Sequence, residues 1–280
     1  MATDCYRIHL NVQVIRVYAN ITHIGSYAFA KMPSLREIRI TDKTEVENAD
    51  TDIRWRNGGL VWVDDWAFAD TKIKTHTLPT TLKKMGNLVF YNSLIETIDL
   101  SRTQLESISD DTFRECSSLY KVTLPNSIKS IGANAFFQCT SLREINFPDS
   151  LNLIGVHSFR STALTSVDLS NTQVELIGYG AFLYCNINEL KFPKSITEIG
   201  AYAFYETKVT SIDFRHTKLK LIAGSCFSLC TSLRKVLFPA SLEFVSLYAF
   251  HLTGVESIDL SHTQITEINI NTFGFYYYLR

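Results

Sequence analysis

The sequence predicts an α/β solenoid in which a short parallel strand recurs about eleven times. Three observations predict it: a phenylalanine recurs every 22 or 23 residues with one longer interval, two apolar columns precede it, and a short alternating segment follows it. A fixed period of this length is typical of repeat proteins, in which each repeat buries its apolar side only against its neighbours.

The repeat phenylalanine fixes the register of the repeats. It occurs at Phe29, Phe68, Phe90, Phe113, Phe136, Phe159, Phe182, Phe204, Phe227, Phe250 and Phe273. The positions five and eight residues earlier are apolar in every repeat, as Ile131 and Ile128 are before Phe136. The three columns together predict one continuous core.

The segments after the phenylalanines alternate apolar and polar residues, as in LREINF, LTSVDL, INELKF and VESIDL. Alternation of this kind predicts a half-buried strand. Since only turn-rich sequence separates the copies, the strands are expected to stack in parallel, one per repeat, at about 4.8 Å. Short turns or helical turns are expected to connect them.

Strand ends follow two patterns. In one the strand ends at a proline, which lacks an N–H group and so closes the ladder, at Pro79, Pro125, Pro148, Pro193 and Pro239. In the other it reads IDLSRTQ or a close variant around Asp99, Asp168, Asp213 and Asp259. A glycine often stands four residues before the phenylalanine, as Gly155 does, where a corner requires either a positive φ or close approach of two backbones.

The unit IKSIGANAFFQCTSLREINFPDS, residues 128–150, resembles the BspA-like, or treponemal-type, leucine-rich repeat. The resemblance covers nearly the whole chain. It implies an arc with a parallel sheet on its concave face and turns or helical turns on its convex face. It also implies roles in protein binding, adhesion or host interaction, and it supplies no catalytic residues.

We expect residues 1–280 to form a single leucine-rich-repeat solenoid. Residues 1–28 are expected to provide an N-terminal capping strand and the first turn. Residues 41–57 are interpreted as an insertion loop, because they lengthen one interval between repeats by about sixteen residues. The C-terminal end lacks an evident cap after Phe273, which is expected of an open solenoid end or of a fragment.

The overall charge argues against two classes of partner. The chain carries 27 basic and 28 acidic residues, so it has no basic field to concentrate nucleic acid or anionic lipid. No signal peptide or membrane span is expected from the apolar runs. A cytoplasmic location is the default expectation, although similar family members are often secreted or on the cell surface.

The residues with reactive side chains do not form a catalytic pattern. Cysteines and threonines share the position three residues after the phenylalanine, as Cys139 and Thr162 do, so these cysteines are expected to be free, buried packing residues. The aspartates of the strands are not expected on adjacent strands, whereas catalytic carboxylate pairs lie close together. We therefore expect no enzymatic activity, no cofactor and no metal site.

Two surfaces are candidates for binding a protein or glycan partner. The first is the exposed side of the predicted strands, called the strand face, with Asp99, Lys121, Asn146, Asp168, Lys191, Asp213 and Asp259. The second is the insertion loop, where Arg54, Trp55 and Arg56 are of residue types enriched at interfaces. The alternative for this loop is a structural flap that packs over the first repeats.

A second hypothesis is structural self-assembly. The aromatic residues Phe273, Phe275, Tyr276, Tyr277 and Tyr278 follow the last repeat without a closing strand. Solenoids normally need a polar terminal repeat for solubility. End-to-end stacking of two copies is therefore the competing prediction.

Overall fold

The structure, a computed structural model, describes residues 11–17, 21–40 and 59–274. It comprises two compact units: unit 1 contains Met1–Ile128 and Ala135–Asn146, and unit 2 contains Lys129–Asn134 and Phe147–Arg280. The described residues form about nine turns of β-solenoid with parallel strands and without helices. Within these ranges there is accordingly no helix suited to crossing a membrane. The predicted solenoid is confirmed, with turns as its connections.

Most repeats contribute two short strands where the sequence predicted one. The long-strand ladder consists of β1 Val14–Val17, β3 Glu37–Ile40, β5 Thr75–Thr77, β7 Thr97–Asp99, β9 Lys121–Thr123, β11 Glu144–Ile145, β13 Ser166–Asp168, β15 Glu189–Lys191, β17 Ser211–Asp213 and β19 Lys235–Leu237. The short-strand ladder consists of β2 His23–Ile24, β4 Trp62–Val63, β6 Lys84–Met85, β8 Ser107–Ile108, β10 Ser130–Ile131, β12 Leu153–Ile154, β14 Leu176–Ile177, β16 Glu198–Ile199, β18 Leu221–Ile222 and β20 Phe244–Val245.

Within each sheet of the two ladders, equivalent residues of successive repeats lie side by side. In unit 1 the sheets are β1-β3, β5-β7-β9-β11 and β2-β4-β6. In unit 2 they are β13-β15, β17-β19 and the six short strands from β10 to β20 in repeat order. All these pairs are parallel, and Ile154 pairs with Ile131 on one side and Ile177 on the other. The residue before each of these isoleucines is more exposed than the isoleucine, so the short strands present an outward-facing column of their own.

The phenylalanine column forms a stack of rings in the core. In unit 1 the rings from Phe29 to Phe136 are nearly parallel, with adjacent centroids 5.2–5.5 Å apart. In unit 2 the rings from Phe159 to Phe273 are 5.1–5.5 Å apart. The inner rings and most of the two apolar columns are fully buried, which makes this stack the main hydrophobic core.

The backbone is left-handed two residues before and two residues after the phenylalanine in nearly every described repeat. Asn134 and Gln138, on either side of Phe136, have φ values of 51° and 56°. Among the described glycines only Gly180 has a positive φ. Close approach instead explains the column four residues before the phenylalanine at Gly86, Gly155, Gly178 and Gly200, because a Cβ on Gly155 would lie 2.7 Å from the carbonyl carbon of Gly132. Gly25 is the exception, since a Cβ there would meet nothing within 4 Å.

The last described repeat departs from the pattern. The predicted strand VESIDL, residues 255–260, forms no strand, and Ile268 is 62% exposed although its column is buried elsewhere. These two expectations are wrong. The reason is that strand pairing stops at β19 and β20, so no ladder holds these residues against the preceding repeat.

Candidate functional site

The aspartates of the strand face close the turns that follow their own strands. Asp168 Oδ1 accepts hydrogen bonds from the N–H group of Ser170 at 3.0 Å and from its hydroxyl at 2.6 Å. Asp213 accepts hydrogen bonds from the N–H group of Arg215 at 3.0 Å and from its guanidinium group at 2.7 Å. The same turn is made by Asp99 and Asp259. The hydrogen bonds from Ser170 and Arg215 lower the pKa of Asp168 and Asp213, so both carboxylates are ionised near neutral pH.

The lysines of the strand face pair with carboxylates on the same face. Lys191 Nζ lies 3.1 Å from Asp168 Oδ2 and 3.2 Å from Glu189 Oε1. Lys121 Nζ lies 3.0 Å from Glu144 Oε2. Exposed pairs of this kind contribute about 0–1 kcal/mol each. They do, however, neutralise the charges that the strand face would offer to a partner.

Asn146 bonds to the backbone of the neighbouring repeat. The N–H group of Leu124 donates to Asn146 Oδ1 at 2.7 Å, and Asn146 Nδ2 donates to the Leu124 carbonyl at 3.1 Å. In the repeat whose strand ends at Asp168, the equivalent N–H group is that of Leu169, and it donates to the backbone carbonyl of Lys191. The Asn146 amide thus replaces a ladder bond where β11 has only two residues.

The described cysteines are free and buried, as predicted. Cys139 Sγ donates to the carbonyl of Phe113 in the preceding repeat at 3.0 Å, and Cys116 Sγ donates to the carbonyl of Phe90 at 2.9 Å. Burial raises the pKa of Cys116 to about 12, so this thiol stays protonated and unreactive. Among the described residues no three histidine, cysteine, aspartate or glutamate side chains come together as a metal site.

Some predicted site residues lie outside the described residues. Arg54, Trp55 and Arg56 of the insertion loop fall within 41–58, and Tyr276, Tyr277 and Tyr278 fall within 275–280. Their binding and stacking roles stay predictions.

The structure brings together four tyrosines that the sequence analysis did not select. This tyrosine cluster, on unit 2, consists of Tyr179, Tyr184, Tyr202 and Tyr205. Successive ring centroids are 5.5 Å apart from Tyr179 to Tyr202, 5.6 Å from Tyr202 to Tyr205, and 5.8 Å from Tyr205 to Tyr184. Tyr179, Tyr184 and Tyr202 are 45%, 47% and 36% exposed. In the part of the chain that the structure describes, none of the four hydroxyl groups is hydrogen-bonded to protein.

Two basic side chains flank the tyrosine cluster. The ring of His157 contacts Tyr179 edge-on at 5.1 Å, and the Arg160 guanidinium lies 5.6 Å from the centroid of Tyr184. Burial lowers the pKa of His157, so the imidazole is neutral at pH 7. The surface therefore combines aromatic faces, free hydroxyl groups and one guanidinium.

The position of the tyrosine cluster follows from the turn around each repeat phenylalanine. Phe182 and Phe204 are buried, and the four tyrosines lie within three residues of them. Tyr184 and Tyr202 occupy left-handed positions, with φ values of 63° and 58°. The signal in the sequence is the recurrence of tyrosine on both sides of two consecutive repeat phenylalanines. We call the surface formed by the residues on either side of the repeat phenylalanines the turn face.

Unit 1 carries a smaller aromatic strip on its turn face. Tyr27 stacks on Trp66 at 5.7 Å, and Trp66 contacts Tyr91 at 5.4 Å. Here the Tyr91 hydroxyl donates to Glu115 at 3.1 Å, and Glu115 pairs with Arg114 at 3.2 Å. The Tyr91 hydroxyl is therefore bonded within the protein, unlike the hydroxyl groups of the tyrosine cluster.

Comparison with known proteins identifies the repeat. A family model described as "BspA type Leucine rich repeat region (6 copies)" matches residues 2–53, 49–165 and 152–279. No curated protein matches the chain in sequence.

Solved bacterial leucine-rich repeat proteins are similar to the chain in structure. One from Eubacterium ventriosum has 19% identity and a TM-score of 0.48, over 96% of this chain and 84% of that one. One from Bacteroides ovatus has 20% identity and a TM-score of 0.44, over 92% and 84%. The Treponema pallidum leucine-rich repeat protein has 22% identity and a TM-score of 0.40, over 72% and 75%.

Proposed function

The chain belongs to the BspA-type leucine-rich repeat family, and on that premise we propose that it is a non-enzymatic recognition or adhesion scaffold for a protein or glycan partner. We assign the main protein contact to the tyrosine cluster. The observation that carries this assignment is the exposure of adjacent tyrosine rings whose hydroxyl groups are not bonded within the described residues.

Tyrosine is suited to this role for physical reasons. Its ring buries a large apolar area at low conformational cost, and its hydroxyl group donates or accepts a hydrogen bond at the edge of the contact. Tyrosine and arginine are also enriched among the residues that dominate binding energy. Tyr184 with Arg160 beside it therefore forms the centre of the proposed contact.

The strand face and the insertion loop are weaker candidates. The strand-face carboxylates accept hydrogen bonds from their own turns, and Lys191 pairs with two of the carboxylates. A partner there would have to compete with these bonds. We retain Arg54, Trp55 and Arg56 as proposed contributors because their residue types favour interfaces.

The test begins with proximity labelling in the native source, followed by affinity measurement with each enriched protein. We expect Tyr184→Ser with Tyr202→Ser to weaken binding at least tenfold, about 1.4 kcal/mol. The matched control is Asp168→Asn with Lys191→Gln on the strand face, which should leave the affinity within about twofold. If the control weakens binding and the tyrosine variant does not, the assigned surface is wrong. If no protein is enriched over a mock sample, the protein-binding function is wrong.

Self-association is a second candidate function, favoured by one observation. Ile268 and Ile270 of the last described repeat are 62% and 74% exposed, and both are large and apolar. Large exposed apolar groups close together commonly mark an interaction surface. Sedimentation velocity over a hundredfold concentration range tests this: we expect a dimer that is lost in Ile268→Lys with Ile270→Lys. A monomer at all concentrations would contradict it.

A further inference from the structure

An open cavity of about 970 Å³ lies on unit 1. Side chains of the short-strand ladder and the adjoining turns line it, among them Trp62, Lys84, Gln104 and Ser107. Its volume is within the range of small-molecule sites, roughly 300–1,000 Å³. We call it the Trp62 cavity.

A change of side-chain size within one column explains why the cavity is there. The outward residues of β2, β4 and β6 are His23, Trp62 and Lys84, which lie side by side in register. The next repeat has Ser107 at the equivalent position, at the start of β8. Three large side chains are thus followed by a small one, and the space above Ser107 stays open.

Trp62 forms a wall of the Trp62 cavity and is held in place by its neighbours. Its ring is 5.7 Å from the His23 ring, and Lys84 Nζ lies 4.9 Å from its centroid. His23 Nε2 is in turn 3.0 Å from Asp64 Oδ2. Trp62 is still 44% exposed, and it is the one aromatic residue among those that line the cavity.

The polar groups of the Trp62 cavity include both donors and acceptors, without a dominant charge. Lys83 and Lys84 bring two ammonium groups, and Asp64, Asp65 and Glu106 bring three carboxylates. Asp64 pairs with His23, Asp65 Oδ1 accepts a hydrogen bond from the N–H group of Asn87 at 2.7 Å, and Glu106 also interacts within the protein. Such a lining does not favour a phosphate, which needs a cationic cradle. It also contains no metal-binding group among the described residues.

A ligand that fits this lining is uncharged, carries many hydroxyl groups and has one apolar face. Each sugar hydroxyl can accept from an ammonium or amide group and donate to a carboxylate. The C–H face of a pyranose ring packs on an indole. Three successive repeats span about 10 Å along the ladder, which accommodates a short saccharide.

We propose that the Trp62 cavity binds a neutral oligosaccharide. This deepens the proposed recognition function by naming a glycan class and a second site, and it does not depend on the tyrosine cluster. A folded protein is a poor occupant, because the cavity presents one exposed aromatic ring among polar groups and no apolar centre.

Isothermal titration of the full chain with five neutral hexaoses tests the proposal: cello-, xylo-, manno-, malto- and chitohexaose. We expect at least one to bind with a Kd below about 1 mM, and a sulfated heparin hexasaccharide to bind at least tenfold more weakly. Trp62→Ala should weaken the best ligand at least tenfold. Ser107→Trp, which fills the cavity without removing a core residue, should abolish binding.

Two controls separate this proposal from the protein-binding one. Tyr184→Ser with Tyr202→Ser should bind the saccharide like the wild type, and circular dichroism checks that each variant is folded. The proposal is overturned if none of the five hexaoses binds, or if a folded Ser107→Trp variant binds as well as the wild type. Neither result bears on a protein contact at the tyrosine cluster.

Discussion

The two exposed faces of unit 2 use their functional groups in opposite ways. On the strand face, Asp168 accepts from its own turn and pairs with Lys191 on the next strand. On the turn face, Tyr184 and Tyr202 expose their rings, and their hydroxyl groups form no hydrogen bond with described residues. The carboxylates of the strand face thus bond within the fold, whereas the tyrosine hydroxyl groups of the turn face are available to a partner.

With the partner contact at the tyrosine cluster, as proposed, the difference would separate the residues that stabilise the fold from those that bind. Changes on the strand face should cost folding free energy and little affinity. Changes to Tyr184 and Tyr202 should do the reverse, because these rings are exposed whereas the phenylalanine rings of the core are fully buried.

The largest expected effect is that of Phe182→Ala, beneath the tyrosine cluster. The ring is fully buried and stacks on Phe159 at 5.1 Å and on Phe204 at 5.2 Å. Its removal should lower the free energy of unfolding by about 3–5 kcal/mol, measured by urea denaturation. The matched change Tyr184→Ala should cost less than about 1 kcal/mol. Equal losses for the two variants would mean that the cluster is structural and would remove the distinction between the faces.

The second effect concerns Asn146 on the strand face. In Asn146→Ala the N–H and carbonyl groups of Leu124 lose their partners, and we expect a loss of about 1–3 kcal/mol in unfolding free energy. Thr123→Ala, in the same column of the preceding repeat, is the control and should cost less. If Asn146→Ala is neutral in urea denaturation, its amide is not part of the fold and becomes available to a partner.

The sequence allowed the long-strand ladder to be predicted, but not the short one. Segments such as LTSVDL alternate over six residues, which is enough to show a period of two. The short strands are two residues long, as in Leu153–Ile154, and such a segment has no period. Its strand conformation depends on pairing with equivalent residues in neighbouring repeats, which only stacking provides.

The candidate sites also differ in whether the sequence could predict them. Asp168 and Lys191 could be selected because alternation alone indicates which residues of a strand are exposed. The tyrosine cluster draws on four different positions of two repeats, and two of its members project from left-handed turns. The direction of such side chains does not follow from a linear pattern. The same holds for the Trp62 cavity, which lies where Ser107 follows three large residues in one column.

A smaller effect, of opposite sign, is expected from Gln138→Gly on the turn face of unit 1. Gln138 is exposed and has a φ of 56°, a conformation that costs a residue with a Cβ about 1 kcal/mol and costs glycine almost nothing. The greater freedom of glycine in the unfolded chain offsets part of the gain, so we expect stabilisation by about 0.5 kcal/mol. Gln138→Ala is the control and should not stabilise. A loss of stability on mutation to glycine would show that the Gln138 side chain itself supports the turn.

The smallest effect concerns the dependence of stability on pH. The hydrogen bonds from Ser170 and Arg215 lower the pKa of Asp168 and Asp213 in the folded state. Because the pKa of each carboxylate is lower in the folded state, the unfolded chain takes up protons at a higher pH than the folded protein does. The stabilisation is therefore complete above the unfolded pKa of about 3.9 and is lost as the pH falls through the folded value. Urea midpoints at pH 6 and pH 3 should differ less in Asp168→Asn with Asp213→Asn than in the wild type, whereas Tyr184→Ser should leave the difference unchanged. An unchanged difference in the aspartate variant would mean that these carboxylates contribute nothing to the fold, and the strand face would then be as free for binding as the turn face.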